Sequence, residues 1–112
     1  MKTITYEEFE QVQLRSGTII QVEEFPRAKK PAFKVWADFG QEMGILQTSA
    51  QITVHYAPES LVGKQIIGCV NLGEKNIAGF KSQFLLLGFP DENGTICLAT
   101  TDISVPNGQK LQ

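Results

Sequence analysis

The sequence has 112 residues with 12 acidic and 10 basic side chains, which gives a formal net charge of −2 and suits one domain over residues 1–112. A hydrophobic fraction of 42% can form a core, and the acidic balance argues against nucleic-acid binding through bulk charge alone. No apolar run could cross a bilayer and the first residues lack the apolar stretch of a signal peptide, so we expect no membrane insertion and a cytoplasmic location.

The first predicted elements are a short helix and a long bent strand. A helix is predicted over Tyr6 to Gln11, because Thr5 and Glu8 have the spacing of a capping box. Alternation from Val12 to Val22 predicts a strand, and Gly17 in its middle permits a bend or bulge. The residues expected on its apolar face are Val12, Leu14, Thr18, Ile20 and Val22. A long bent strand of this kind is what a small closed barrel needs.

A strictly alternating segment, Phe33 to Phe39, predicts the second strand and turns Trp36 away from the face that carries the phenylalanines. That indole could stack on a base, form half of a subunit contact, or be partly covered by a neighbouring loop. The loop before the strand gathers cations at Arg27, Lys29 and Lys30, with Lys34 just beyond it. This cluster is either a localised basic patch or an ordinary solvated loop.

The rest of the chain predicts three further barrel strands, a second short helix, and a C-terminal extension with a hairpin turn, one more strand and an arm. They are a third strand over Met43 to Ser49, a helix over Pro58 to Gly63, strands over Ile66 to Leu72 and Phe84 to Leu87, a hairpin turn at Asp91 to Gly94, a strand over Thr95 to Thr100, and a terminal arm over Asp102 to Gln112. The order predicts an all-β fold. Its centre is a five-stranded OB-fold barrel with a short helix between strands three and four and with N- and C-terminal extensions.

A polar connector between the fourth and fifth strands is the first candidate for a binding edge. It places Lys75 and Lys81 on either side of Gly79 and Phe80, next to two strands that hold it on a rigid scaffold. The alternative is an ordinary loop between two strands.

Catalysis and metal binding find little support in the sequence. His55 is the single histidine, and neither a nucleophile elbow nor a glycine-rich phosphate loop is present. Cys69 and Cys97 lie in apolar runs, so we expect two small buried thiols. Two cysteines and one histidine make no zinc site without carboxylates, and no metal-ligand spacing occurs. We therefore expect a non-enzyme with no catalytic residues, no cofactor and no metal.

Six short segments, in the right order, resemble the tRNA-binding domain family and within it the CsaA branch of bacterial export-related chaperones. They are Phe9 to Gly17, Glu23 to Ala32, Asp38 to Gly44, Gln47 to Thr53, Leu61 to Leu72 and Ile77 to Leu87. The resemblance implies an OB-fold barrel and a homodimer that binds tRNA, or unfolded or exported polypeptide. At the dimer interface we expect the turn around Tyr6 and the segment from Thr95 to Leu111.

The same resemblance implies which residues line a binding cleft. The positions that match family motifs are Arg15, Ser49, Asn71, Ser82 and Gln83. Lys75 and Lys81 could contact phosphates, and Trp36 or Phe80 could stack on a base. We expect Arg15, Asn71 and Ser82 to converge, because the first strand, the end of strand four and the start of strand five are neighbours in an OB barrel.

Departures from the wider family pattern favour the CsaA branch. Ser82-Gln83-Phe84-Leu85 stands where many members read S-[EQ]-G-M, and the loop from Phe25 to Pro31 replaces their H-P-x-A-D-K-L. The favoured hypothesis is a dimeric chaperone that assists protein export by binding unfolded or preprotein polypeptide in a cleft. The alternative is a structure-selective tRNA-binding protein that uses the same cleft.

Overall fold

The computed structural model describes all 112 residues and centres on a five-stranded antiparallel sheet that curls into a nearly closed barrel. Its elements are α1 (Tyr6–Gln11), β1 (Leu14–Glu24), β2 (Phe33–Asp38), β3 (Ile45–Ala50), α2 (Pro58–Leu61), β4 (Gln65–Cys69), β5 (Lys75–Ile77), β6 (Phe80–Ser82), β7 (Leu85–Leu86), β8 (Gly88–Pro90) and β9 (Ile96–Leu98). The barrel sheet runs β3-β2-β1-β4-β7, and β5–β6 and β8–β9 form separate hairpins. The predicted all-β, OB-like barrel with a short helix before the fourth strand is confirmed. Neither helix has the length and apolarity that crossing a bilayer requires.

β1 serves both sides of the barrel, as the sequence predicted. Its first half pairs with β4 and its second half pairs with β2. The expected apolar face is wrong at two positions. Val12 lies before β1 and is 43% exposed, and a bulge between Ile19 and Gln21 shifts the alternation at Ile20. Ile19 is therefore 1% exposed and Ile20 is 43% exposed. The bulge lies at Ile20 and not at the predicted Gly17.

Gly17 instead leaves space for the ring of Phe39 at the centre of the core. A Cβ atom on Gly17 or on Gly68 would lie 2.8 Å from the ring of Phe39. That ring is fully buried and meets Phe84 edge to face, with 4.9 Å between the ring centroids. Two glycines on neighbouring strands therefore let one large aromatic side chain fill the middle of the barrel.

Both helices form where the sequence predicted them, for local reasons. At α1 the backbone N–H of Glu8 donates to Thr5 Oγ1 at 3.1 Å, and the N–H of Thr5 donates back to Glu8 Oε1 at 3.0 Å, which completes the capping box. α2 begins with Pro58, whose fixed φ suits the first turn. α1 buries none of its residues, so it is an appendage to the barrel in this chain.

The barrel closes along a line that we call the seam, which joins β3 to residues 82–84. One backbone bond there runs from the N–H of Gln83 to the carbonyl of Gln47, at 2.8 Å. Side chains supply the rest: the buried hydroxyl of Thr48 donates to the Phe84 carbonyl at 2.6 Å. The seam therefore closes largely through side chains and not through a strand ladder.

The segment predicted as a polar connector contains the β5–β6 hairpin, which the sequence does not predict. Ile77 pairs with Phe80, so the loop between them has two residues. Ala78 has a φ of 50° and Gly79 a φ of 84°, which is the positive-φ pair of a type I′ turn. Because alanine is a rare residue at positive φ, the sequence carries no Asn-Gly signal for this turn.

The C-terminal extension combines a hairpin with an arm over residues 102–112. The predicted turn at residues 91–94 is confirmed between β8 and β9. The arm runs along the first half of β1: the N–H of Gly108 donates to the Ser16 carbonyl at 2.7 Å, and the N–H of Leu111 to the Leu14 carbonyl at 2.8 Å. Cys69 is buried as expected, whereas Cys97 in β9 is exposed. The prediction of two buried thiols is thus wrong for Cys97, whose side chain points outward from a two-stranded hairpin.

Candidate functional site

Two of the family-matched polar residues, Arg15 and Asn71, meet at Gln13. The guanidinium of Arg15 donates to Gln13 Oε1 at 2.8 and 3.2 Å and to the carbonyl of Gly108 at 2.9 Å. Asn71 Oδ1 accepts the Gln13 N–H at 3.0 Å, and its amide donates to the carbonyl of Gln11 at 2.7 Å. These side chains therefore fasten the exit of α1 and the C-terminal arm onto β1.

The other three family-matched polar residues lie on the seam. Ser82 Oγ accepts the N–H of Ser49 at 2.9 Å, and Gln83 Oε1 accepts the N–H of Gln47 at 3.1 Å. The amide of Gln83 reaches Glu74 Oε2 at 3.3 Å. These side-chain oxygens accept hydrogen bonds from N–H groups at the outer edge of β3, where another strand would otherwise pair.

No hydrogen bond connects the seam residues with the residues around Gln13. The convergence of Arg15, Asn71 and Ser82 therefore stays a prediction. What the hydrogen bonds establish is that all three side chains have partners within the fold. A ligand would have to compete with those partners, or use other groups nearby.

Beside the seam lies a groove of about 630 Å³, which nine hydrophobic residues among fifteen line. Its walls come from the end of β3, the β5–β6 hairpin and the chain from β7 into β8. Leu72 and Leu85 line it and are 66% and 51% exposed. Its polar lining residues include Ser49, Ser82 and Lys75. An open apolar groove with few polar groups is the pattern of a binding site for apolar side chains.

Next to the groove, the outer face of β2 carries an aromatic cluster that the β5–β6 hairpin covers. Phe80 meets Phe25 and Trp36 edge to face, at centroid distances of 5.6 and 5.8 Å. Lys34 Nζ lies 5.0 Å from the Phe25 ring centroid and 5.1 Å from that of Phe80, a cation–π geometry. Of the three interpretations of Trp36, the structure shows the third: the β5–β6 hairpin partly covers the indole.

Gln47 ties this cluster to the hairpin and was not singled out from the sequence. Its Oε1 accepts the indole N–H of Trp36 at 3.2 Å, and its Nε2 donates to the carbonyl of Lys81 at 2.9 Å. The ammonium groups of Lys75 and Lys81 have no carboxylate partner, because the only ion pair is between His55 and Asp91. Those two lysines are therefore free to meet an anionic ligand.

The sequence also missed Leu72 and Leu85 as groove residues. Both were assigned to core strands because they continue apolar runs. β4 ends at Cys69 and β7 has only two residues, so each leucine lies at an open edge of the barrel. The sequence feature that could have indicated them is the number of apolar residues in these two runs, which is larger than two short strands can bury.

Comparison with known proteins gives consistent results. The profile of a family described as a putative tRNA binding domain matches residues 14–110. The crystal structure of chaperone CsaA from Bacillus anthracis str. Ames has a TM-score of 0.92 and 43% identity, over 99% of this chain and 100% of that one. CsaA from Picrophilus torridus has a TM-score of 0.91 and 39% identity, over 98% and 100% of the two chains.

Among curated relatives, the methionine–tRNA ligase of Methanocaldococcus jannaschii is 32% identical over all 112 residues of this chain. The chain spans only 15–17% of the length of the methionine–tRNA ligases that it matches. The similarity thus concerns one domain of those enzymes.

Proposed function

Because the chain belongs to the tRNA-binding domain family, we propose that it is a CsaA-like chaperone, a cytoplasmic homodimer that binds unfolded or exported polypeptide. The observation that carries this proposal is the open groove beside the seam. Two leucines are exposed there on the wall of a concave apolar surface. We propose a binding role for the domain and no catalysis.

The groove favours polypeptide because its lining is mostly apolar. An unfolded chain presents apolar side chains that a folded protein would bury, and each one removed from water contributes about 1–3 kcal/mol. Leu72 and Leu85 lose exposed apolar area in the same contact. Lys75 and the seam serines supply polar groups at the rim for the peptide backbone.

The seam limits how such a peptide can bind. Pairing with β3 as an added strand would need the N–H groups of Gln47 and Ser49, which already donate to Gln83 and Ser82. The peptide therefore gains its affinity from side chains in the groove, with little dependence on sequence. Low dependence on sequence suits a protein that must accept many clients.

Dimer formation is part of this proposal, and exposed apolar residues on the terminal extensions support it. Ile4 and Tyr6 near α1 are 56% and 67% exposed, and Ile103 and Leu111 in the arm are 76% and 44% exposed. A two-fold contact between copies would bury these extensions, which have no core of their own. Light scattering at micromolar concentration should give twice the monomer mass, and a monomer mass would contradict the dimer.

The test of polypeptide binding is fluorescence anisotropy with a labelled, reduced and carboxymethylated polypeptide that cannot refold. Leu72→Ala should weaken binding by about 1–3 kcal/mol, since the variant loses apolar contact at the groove wall. Val54→Ala is the matched control, because Val54 is 74% exposed and does not line the groove. Equal losses in the two variants would show that the groove is not the binding site.

A tRNA ligand remains the second candidate, which the family match and the free cations favour. Lys75 and Lys81 have no carboxylate partner, and both lie on the β5–β6 hairpin, beside the rings of Phe80 and Trp36. Binding of total tRNA in the same assay should then weaken steeply with salt, whereas apolar polypeptide binding should change little. A steep salt dependence for tRNA together with no polypeptide binding would favour the RNA function.

A further inference from the structure

Three potential metal ligands, none of which lines the groove, meet at the outer end of the β8–β9 hairpin. They are His55 from the loop after β3, Asp91 from the hairpin turn and Cys97 from β9, and their ligand atoms all lie within 4.8 Å of one another. From the sequence alone, the cysteines and the single histidine are too few ligands for a zinc site. The fold adds the missing carboxylate from a residue 36 positions beyond the histidine.

Asp91 is held in position for such a role. Its Oδ1 accepts the backbone N–H groups of Asn93 and Thr95 at 2.8 and 2.9 Å, which leaves Oδ2 directed at His55 Nε2, 2.8 Å away. The hydrogen bond from His55, and after it those from Thr95 and Asn93, lower the pKa of Asp91. These three hydrogen bonds fix the position of the carboxylate before any ligand arrives.

We propose that His55, Asp91 and Cys97 bind one Zn²⁺ ion, with a water molecule as its fourth ligand. A thiolate, an imidazole nitrogen and a carboxylate oxygen form a ligand set that zinc accepts and that Mg²⁺ and Ca²⁺ do not prefer. On binding, the Cys97 thiol releases its proton to solvent. The proton on His55 Nε2 moves through solvent to Nδ1, so that Nε2 bonds the metal in place of its hydrogen bond to Asp91.

The metal needs side-chain movements of about one ångström, because ligand atoms up to 4.8 Å apart must approach to about 3.5 Å. Ligand atoms about 2.0–2.1 Å from a tetrahedral zinc lie about 3.3 Å apart, so the contact of 2.8 Å between His55 and Asp91 must lengthen by about half an ångström. His55 is exposed and lies in a loop, so its side chain is free to make this movement. Cys97 is exposed as well, which leaves a path for the ion.

Zinc at this site would connect the loop before α2 to the β8–β9 hairpin. Gly88 and Ile96 of that hairpin line the end of the groove, while Cys97 is exposed at the next position along β9. The alternative is a His55–Asp91 ion pair with the thiol nearby by chance. That alternative gives Cys97 no part in metal binding, and the two can be separated by experiment.

The experiment uses the untagged full chain, freed of metal with a chelator, and titrates it with Zn²⁺ by calorimetry and with Co²⁺ by absorption. We expect one ion per chain and a thiolate-to-cobalt charge-transfer band. Cys97→Ser should abolish that band, and both Cys97→Ser and His55→Ala should weaken zinc by more than about 100-fold, since even outer-shell partners of a metal are worth 10–100-fold. Cys69→Ser, at the buried thiol, is the matched control and should keep the band.

A second measurement needs no variant and so does not depend on the folding of one. Zinc should slow the alkylation of Cys97 by iodoacetamide in the parent protein, with the modified cysteine identified by mass spectrometry. The absence of a charge-transfer band in the parent, a band that survives in Cys97→Ser, or alkylation that zinc does not slow would each overturn the proposal.

Discussion

The two sides of the barrel are closed by different means. On one side, β1 pairs with β2 and β4 through long antiparallel ladders, over a core filled by Phe39. On the other side, the seam joins β3 to residues 82–84 with one backbone bond and several side-chain bonds. We refer to the first as the ladder side.

This difference shows that polar residues in a family motif can be needed for the fold itself. On the ladder side, backbone groups bond each other whatever the side chains are. At the seam, the side-chain oxygens of Ser82 and Gln83 accept the N–H groups of β3, which the backbone carbonyls of a neighbouring strand would otherwise accept. Their presence in the motif therefore does not require a ligand, although both lie beside the groove.

The largest effect should come from the ladder side. Phe39→Ala should lower the free energy of unfolding by about 3–5 kcal/mol, because it leaves a cavity between Gly17 and Gly68 that the strands cannot fill. Urea denaturation measures this loss. Phe89→Ala is the control, since Phe89 is 72% exposed on the β8–β9 hairpin. Similar losses in both variants would show that the ladder side does not depend on the Phe39 ring.

At the seam, the buried hydroxyl of Thr48 should matter most. Thr48→Val keeps the shape but leaves the Phe84 carbonyl without its donor, so we expect a loss of about 1–3 kcal/mol of stability. The matched control is Thr18→Val on β1, where the hydroxyl bonds Asn107 Oδ1 at a half-exposed position. If the control loses more stability than Thr48→Val, the seam does not depend on this bond.

A smaller loss should follow from Ser82→Ala, which removes the acceptor for the N–H of Ser49. We expect about 1 kcal/mol in urea denaturation, because that N–H is only half-buried and water can replace the hydroxyl. Polypeptide binding should weaken only slightly, since Ser82 is one polar group at the rim and apolar groove residues supply most of the affinity. Ser104→Ala, at an exposed arm residue, should change neither quantity; loss of binding in Ser82→Ala with unchanged stability would make Ser82 a ligand contact.

The smallest effect on stability is expected for the exposed lysines of the hairpin. Lys75→Ala and Lys81→Ala should leave the unfolding free energy nearly unchanged. If tRNA binds here, each should reduce the slope of log affinity against log salt by about 1, through the loss of one phosphate contact. Lys64→Ala, an exposed lysine after α2, is the control, and an equal change in its slope would place the RNA elsewhere.

The ladder side was predictable from the sequence because its patterns are local. β2 alternates buried and half-buried residues from Phe33 to Asp38 as expected, and the capping box at Thr5 marks α1. The bulge at Ile20 was not predictable, because nothing in Ile19-Ile20-Gln21 distinguishes the inserted residue from its neighbours. Pairing with β2 decides it, and that information lies in the tertiary structure.

The site was predictable in part. The resemblance implied that five motif residues line one cleft, and three of them, Ser49, Ser82 and Gln83, lie on the seam. Their hydrogen-bond partners could not be inferred from residue types. The β5–β6 hairpin was hidden because Ala78 occupies a positive-φ position that usually has asparagine or glycine. Gln47, Leu72 and Leu85 gain their importance from where strands end, and strand ends are set by pairing rather than by local preference.

The distant contacts of the arm also predict the order in which parts of the chain fold. Ser16 on β1 bonds Pro106 and Gln109, which follow it in the chain by 90 and 93 residues. Contacts so distant are slow to form because a long loop must close first, whereas β1 and β2 are near neighbours in sequence. We expect the β1–β2 pair early in refolding and arm docking as a late step. Pulsed hydrogen exchange should show the Gln109 amide protected after the amides of β2; simultaneous protection would mean that the arm belongs to the folding nucleus.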